Sequence, residues 1–335
     1  MTVAGVKPNS RYGAIDSLRG TAALSVFLFH LNECALPFPS TLLEGWRSVW
    51  RHGHLGVPLF FVISGFCIGR SWLQSGSANG FLIRRLRRIF PPYWASLALI
   101  GAAALLFKLL RGVNDFAPLP MSPDALALTL ILATKPVTEV PVANWVYWSL
   151  SFEVAFYLVL TATLFARRFW GVWPLVILHG SLSLTATLPA ANLTGPLFFV
   201  ELWPLFGTGV AAAIHREHKA AALIMAGFSA IHFAVCAFDG RLIAYWLTAS
   251  AGALICIRAA DVPAPGRIAP LGYAGKISYS IYLIHVPIGI GLIQRALPSM
   301  GESSAVEIGR QLLVVGLTLV AAEIFYRKAE RPFLN

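Results

Sequence analysis

The stretch SLRGTAALSVFLFHLNECALP, residues 17–37, decides what kind of molecule this is. A bilayer core of about 30 Å is crossed by a helix of about 20 mostly apolar residues, and this run has that length and character. It is long for the apolar region of a secretory signal, and no small-x-small cleavage site follows before Pro37 and Pro39, so it is expected to remain as a helix. Working outward, LGVPLFFVISGFCIGRSWL (55–73) repeats the pattern, and further apolar runs lie at 92–111, 146–166, 171–190, 194–214, 219–238, 241–260, 277–297 and 308–326. The expected fold is therefore an all-α polytopic membrane helix bundle of about ten transmembrane helices. An eleventh run, DALALTLILAT (124–134), makes a helix only about 17 Å long, and is expected to be a short in-plane or re-entrant piece packed against protein.

Composition agrees. The chain has 335 residues, 57% hydrophobic and only 12% charged, where soluble proteins carry about 25% charged residues. Its net charge of +11 sits between the apolar runs, the pattern of a cation-flanked membrane protein in contact with lipid rather than of a nucleic-acid binder. Four cysteines (Cys34, Cys67, Cys236, Cys256) are widely spaced and form neither a disulfide framework nor a CxxC motif. Lys and Arg favour cytoplasmic loops. With both termini cytoplasmic and ten crossings, eighteen of the 26 fall on that side, including Arg84, Arg85, Arg87, Arg88, Arg167 and Arg168. Counting 124–134 as a crossing would put Arg167 and Arg168, Arg216 and Lys219, and the cluster from Arg258 to Lys276 outside. The longest segment between crossings, 112–145, is too short for a separate domain, so residues 1–335 are expected to form one membrane domain.

Ionisable groups within crossings are costly and mark candidate sites. His30 lies eleven residues beyond Arg19 on the first helix, on nearly the same face and about 16 Å deeper. Glu153 lies about seven residues into a helix entering from the opposite side, which places it at the expected depth of His30. A carboxylate meeting an imidazole there would fix its tautomer and support a general base, or simply hold two helices together. In FLIRRLRRIFPPYW (81–94), Arg85 and Arg88 are three residues apart and match phosphate oxygens, unless the cluster is an ordinary membrane anchor. His52 and His54 lack a third metal ligand, and Cys34, one turn past His30, reads as a small apolar filler. Glu201, in GPLFFVELWPLFGTG, lines a cavity or caps a broken helix. Ser278, Tyr282 and His285 form a polar stripe of interhelical bonds, and His179 and His232 read as packing residues.

Six segments together resemble the integral-membrane acyltransferases of the acyltransferase-3 type, which O-acylate sugars and other exported or lipid-linked acceptors. They are IDSLRGTAALSVFLFHL (15–31), LGVPLFFVISGF (55–66), RRLRRIFPPYW with its Arg85-x-x-Arg88, WSLSFEVAFYLV (148–159), ISYSIYLIHVPI (277–288) and ERPF (330–333). Many members carry Asp where this chain has Pro58, so no role for that carboxylate carries over. No appended esterase-like domain is expected, and the bundle alone is expected to find the acceptor. The resemblance implies an inner (plasma) membrane enzyme taking acyl-CoA, commonly acetyl-CoA, from the cytoplasm, with no metal. It implies His30 and Glu153 as catalytic residues. Arg19, Arg85 and Arg88, with Tyr93, Glu201 and His285, are the expected substrate contacts. A proton-relaying transporter or flippase is the alternative on buried His and Glu alone.

Overall fold

In the computed structural model, described residues are 13–33, 41–112, 117–120, 122–188, 197–238, 243–259, 270–297 and 303–334. The helices are α1 (Gly13–Glu33), α2 (Thr41–Arg51), α3 (Gly56–Gln74), α4 (Ala78–Arg111), α5 (Pro123–Leu130), α6 (Trp148–Trp170), α7 (Trp173–Thr185), α8 (Trp203–Ile214), α9 (Lys219–Phe238), α10 (Ile243–Ala259), α11 (Pro270–Lys276), α12 (Ser278–Ile284) and α13 (Ser304–Phe325). No strand occurs among the described residues. Leucines and phenylalanines on the outer faces of α4, α6, α10 and α13 stay exposed, as helices facing lipid require.

Among the described residues, five stretches of helix are long and apolar enough to cross a membrane, or six if α11 and α12 with its continuation count as one bent crossing. The expected ten are not all recovered. Helices α7, α8 and α10 have 13, 12 and 17 residues. Proline explains two of these boundaries: Pro174 and Pro204 each stand in the first turn, where a missing N–H costs nothing, and so restart the helix there. Pro91 and Pro92, by contrast, do not break α4, which runs unbroken for 34 residues. Helix α5 has 8 residues, as a piece too short to cross. Tyr93 and Trp94 clamp its end, donating to the carbonyls of Thr129 (2.6 Å) and Leu130 (2.9 Å).

Small residues set the closest contacts. Helix α3 packs along α8, where a Cβ on Gly65 would meet the Phe206 carbonyl and a Cβ on Gly209 would meet that of Val62. Helix α11 meets α1 in the same way, through Gly275 against Asp16 and Gly20 against Leu271. Without a hydrophobic drive between helices in lipid, such close backbone approach supplies the attraction. The second contact fixes the end of α1 that carries Arg19. Gly209→Ala should therefore overpack the α3–α8 contact at a cost of about 1–3 kcal/mol. Its thermal midpoint in detergent, set beside that of Gly227→Ala, where a Cβ meets open space, checks this.

Candidate active site

Arg19, Arg85 and Arg88 converge. With Cys67, Glu153 and Tyr157 they line one cavity between the helices. Arg85 donates to Ser71 Oγ at 2.6 Å. Arg19 and Arg88 make no hydrogen bond or ion pair among the described residues, although Asp16, Glu153 and Glu330 act on them electrostatically. Two buried polar atoms in the same wall, Arg85 Nε and Ser278 Oγ, have no hydrogen-bond partner among the described residues. Buried polar groups are almost always hydrogen-bonded. Unspent guanidiniums and an orphaned hydroxyl around one hollow are what an anionic, hydrogen-bonding ligand needs. Ser278, expected only as interhelical glue, is the residue the sequence reading missed. Its sole signal was a place on the polar stripe with Tyr282 and His285.

The expected pairing of His30 with Glu153 is not what the fold builds. Glu153 Oε1 accepts from the Tyr157 hydroxyl at 2.6 Å, and His30 Nδ1 lies 2.9 Å from His285 Nε2. The reason is depth. Residues 131–147 descend into the bundle, with Leu132, Thr134, Ala143, Asn144, Val146 and Tyr147 buried, and Ser151 holds the Leu132 carbonyl. Trp145, before α6 begins, is thus already level with His30, their ring centroids 4.3 Å apart. Glu153, eight residues on, lies about 12 Å further towards the arginines. The carboxylate belongs to the arginine cavity.

His285 takes the place expected of Glu153. Helix α12 widens at this residue into a π-helix, His285–Gln294, a local change that recurs at functional sites. Pro287 has no N–H to give to the carbonyl four residues back, Leu283, and Asn144 Nδ2 donates to it instead, at 3.4 Å. His285 Nδ1 lies 3.1 Å from the Ile281 carbonyl and 2.9 Å from that of Tyr282. Carbonyls only accept, so Nδ1 carries the proton and Nε2 is a bare lone pair. His30 must then donate from its own Nδ1. Its Nε2 is left unprotonated, in the form of a base.

Two expected contacts fall elsewhere. Tyr93 is buried with its hydroxyl committed to Thr129, so it anchors α5 and does not line the arginine cavity. Glu201 is exposed, in the turn before α8, and does not line it either. His179 accepts from Trp203 Nε1 (3.2 Å) and bonds the Met225 carbonyl (3.0 Å), within the packing of α7, α8 and α9. His52 and His54 turn to carbonyls of their own preceding turn. Cys34 lies outside the described residues.

Residues 12–327 match the family described as an acyltransferase domain, of the acyltransferase-3 type. The chain belongs to that family. It is a membrane acyltransferase. It is 28% identical over 305 residues to the exopolysaccharide production protein ExoZ of Rhizobium meliloti (strain 1021), covering 84% of this chain and 90% of that one. Peptidoglycan O-acetyltransferase OatA of Listeria monocytogenes is 25% identical over 396 residues, covering 98% of this chain but 57% of its own length. The putative membrane-bound transacylase BcsY of Komagataeibacter xylinus is 29% identical over 360 residues, 98% of this chain and 84% of its own. No solved structure matches the chain.

A hydroxyl retained for a ligand contributes nothing to the fold. Ser278→Ala should leave the melting midpoint of the ligand-free protein unchanged or raised. A fall of more than about 1 kcal/mol, the worth of a typical hydrogen bond, would show that the fold itself uses Ser278.

Proposed function

We propose that this acyltransferase moves an acyl group, by family resemblance acetyl, from cytoplasmic acyl-CoA to a hydroxyl of an exported or lipid-linked saccharide, in the inner (plasma) membrane with both termini cytoplasmic. The observation that carries the reading is one cavity with guanidiniums at one end and, at the other, Val26, one turn below His30 on α1. Arg19, Arg85 and Arg88 bind the phosphates of the donor, and Ser278 takes a polar group of its arm. The arm follows α1 for the roughly 16 Å that separate Arg19 from His30. Glu153, hydrogen-bonded by Tyr157, balances the guanidiniums without neutralising them. ExoZ and OatA, named for exopolysaccharide production and peptidoglycan O-acetylation, support a saccharide acceptor.

In the chemical step His30 Nε2 removes the proton of the acceptor hydroxyl as its oxygen attacks the thioester carbonyl. The tetrahedral intermediate collapses with cleavage of the C–S bond, and the departing thiolate receives the proton back from Nε2. While His30 is an imidazolium, its Nδ1–H stays bonded to His285 Nε2. His285 in turn is held in its tautomer by the carbonyls of Ile281 and Tyr282. Positioned base catalysis of this kind is worth about 10²–10⁴ in rate.

His30→Ala should abolish release of free thiol from acetyl-CoA while leaving acetyl-CoA binding intact. Thiol release at the wild-type rate would remove His30 from the chemistry. His285→Ala should lower kcat by about 10²-fold or more with little change in the acetyl-CoA KM. The phosphate contact has its own test. Arg88→Ala should raise the KM for acetyl-CoA about tenfold or more, as loss of a charge-assisted contact does. The KM for acetyl-pantetheine, which has no nucleotide phosphates, should barely change. An equal effect on both donors would place Arg88 away from the phosphates.

A further inference from the structure

Four segments pass the two histidines in the same order. On α1 the cavity residues Arg19 and Val26 precede His30. On α12, Ser278 and Tyr282 precede His285, and Val286, Ile290 and Arg295 follow it. On α4, Arg88 and Ile89 line the first cavity, and Ile100, about 16 Å further along the helix, does not. The chain entering α6 runs the other way, with Asn144 and Trp145 first and Ser149 and Glu153 after them. Beyond the histidines α4, the continuation of α12 and the chain entering α6 border a second cavity of about 270 Å³, lined by Ile100, Asn144, Trp145, Val286 and Arg295.

A thin polar layer separates the two hollows. Ser149 Oγ lies 2.7 Å from the Tyr282 hydroxyl, which donates to the Val146 carbonyl. Both side chains line the arginine cavity, whereas Trp145, the residue before Val146, lines the second. Trp145 is 47% exposed, and its ring and that of His30 lie in a T-shaped arrangement 4.3 Å apart. The wall of the second cavity therefore touches the ring that serves as base.

We propose that this second cavity is the acceptor site, that its occupant is a saccharide, and that Trp145 is the platform on which one sugar ring lies. This deepens the function proposed above and rests on it. The apolar C–H face of a sugar packs on an aromatic ring and leaves its hydroxyls at the edge, here towards His30. Arg295 supplies a cation at the other end of the hollow, and Asn144 is already committed to Leu283 and Val146. A hydrocarbon tail would fit Val286 and Ile290 but brings no hydroxyl to the base. Donor and acceptor thus approach His30 from opposite ends, with Tyr282 and Ser149 as the partition between them.

The full-length protein in nanodiscs, supplied with acetyl-CoA and either chitotetraose, cellotetraose or xylotetraose, tests the assignment through saturable, glycan-dependent release of free thiol. Trp145→Ala should raise the glycan KM about tenfold, and Trp145→Phe, which keeps an aromatic face, should recover most of the loss. Ala117 lines the same cavity, so Ala117→Trp should narrow it and also raise the glycan KM. In none of these should the KM for acetyl-CoA change. The assignment is overturned if no glycan stimulates or inhibits, if Trp145→Ala shifts both KM values alike, or if polyprenyl phosphate alone competes at the site. Equilibrium dialysis of acetyl-CoA against wild type and Arg88→Ala tests the donor reading separately, so the two can fail independently.

Discussion

A backbone carbonyl released inside an apolar bundle must find a donor, because lipid has none to offer. That constraint organises the region around His285. Pro287 withholds its N–H from Leu283, and Asn144 reaches across from the segment before α6 to supply one. The same turn widens into π-helix, and His285 serves the carbonyls of Ile281 and Tyr282 from its Nδ1. The irregularity is satisfied by side chains, and in satisfying it they fix a tautomer. The lone pair left on His285 Nε2 then orients His30. Local backbone chemistry thus reaches the His30 ring through the imidazole of His285.

The arginine cavity follows the opposite logic. Desolvating a guanidinium is costly unless partners compensate. Yet Arg19 and Arg88 line a hollow with no ion pair among the described residues, and Glu153 is hydrogen-bonded by Tyr157. A site optimised for the stability of the empty protein would close these pairs. Leaving them open stores interaction free energy for an anion, which is released when it binds. Arg85 is different, since one of its nitrogens is held by Ser71. It combines a fixed position with a free Nε, which suits the residue that sets the register of the ligand.

Much of this was legible in the chain. The apolar runs announce a helical membrane bundle. The spacing of Arg19, Val26 and His30 puts all three on one stripe of α1, and Arg85 and Arg88 line one cavity as their three-residue spacing suggested. The depth of Glu153 was not legible, because it depends on where α6 starts relative to the membrane. Hydropathy shows where a helix becomes apolar but is blind to a preceding irregular segment that has already descended into protein. The ten crossings are not all recovered among the described residues, for a related reason. Pro174 and Pro204 divide apolar runs into helices shorter than the runs themselves. Tyr93 and Glu201 were chosen for chemistry in the right neighbourhood, and only the direction of the side chain separates lining a cavity from anchoring α5 or facing outward.

The exchange of an expected carboxylate for His285 bears on the chemistry as well as on the layout. A carboxylate behind a histidine fixes its tautomer and also stabilises the imidazolium by charge. A neutral imidazole does the first and only weakly the second. In the mechanism proposed above, His30 backed by His285 is a base held in the right form, with no fixed counter-ion beside it among the described residues. Such a base gains most when its positive charge is matched by negative charge on the reacting group, and the tetrahedral oxyanion and departing thiolate are both of that sign. The compensation needed by the imidazolium then comes from the reaction itself, and the carboxylate of Glu153 remains available to balance the guanidiniums about 12 Å away along α6. Two charge problems in one apolar bundle are solved at separate depths, and the separation is set by the eight residues between Trp145 and Glu153.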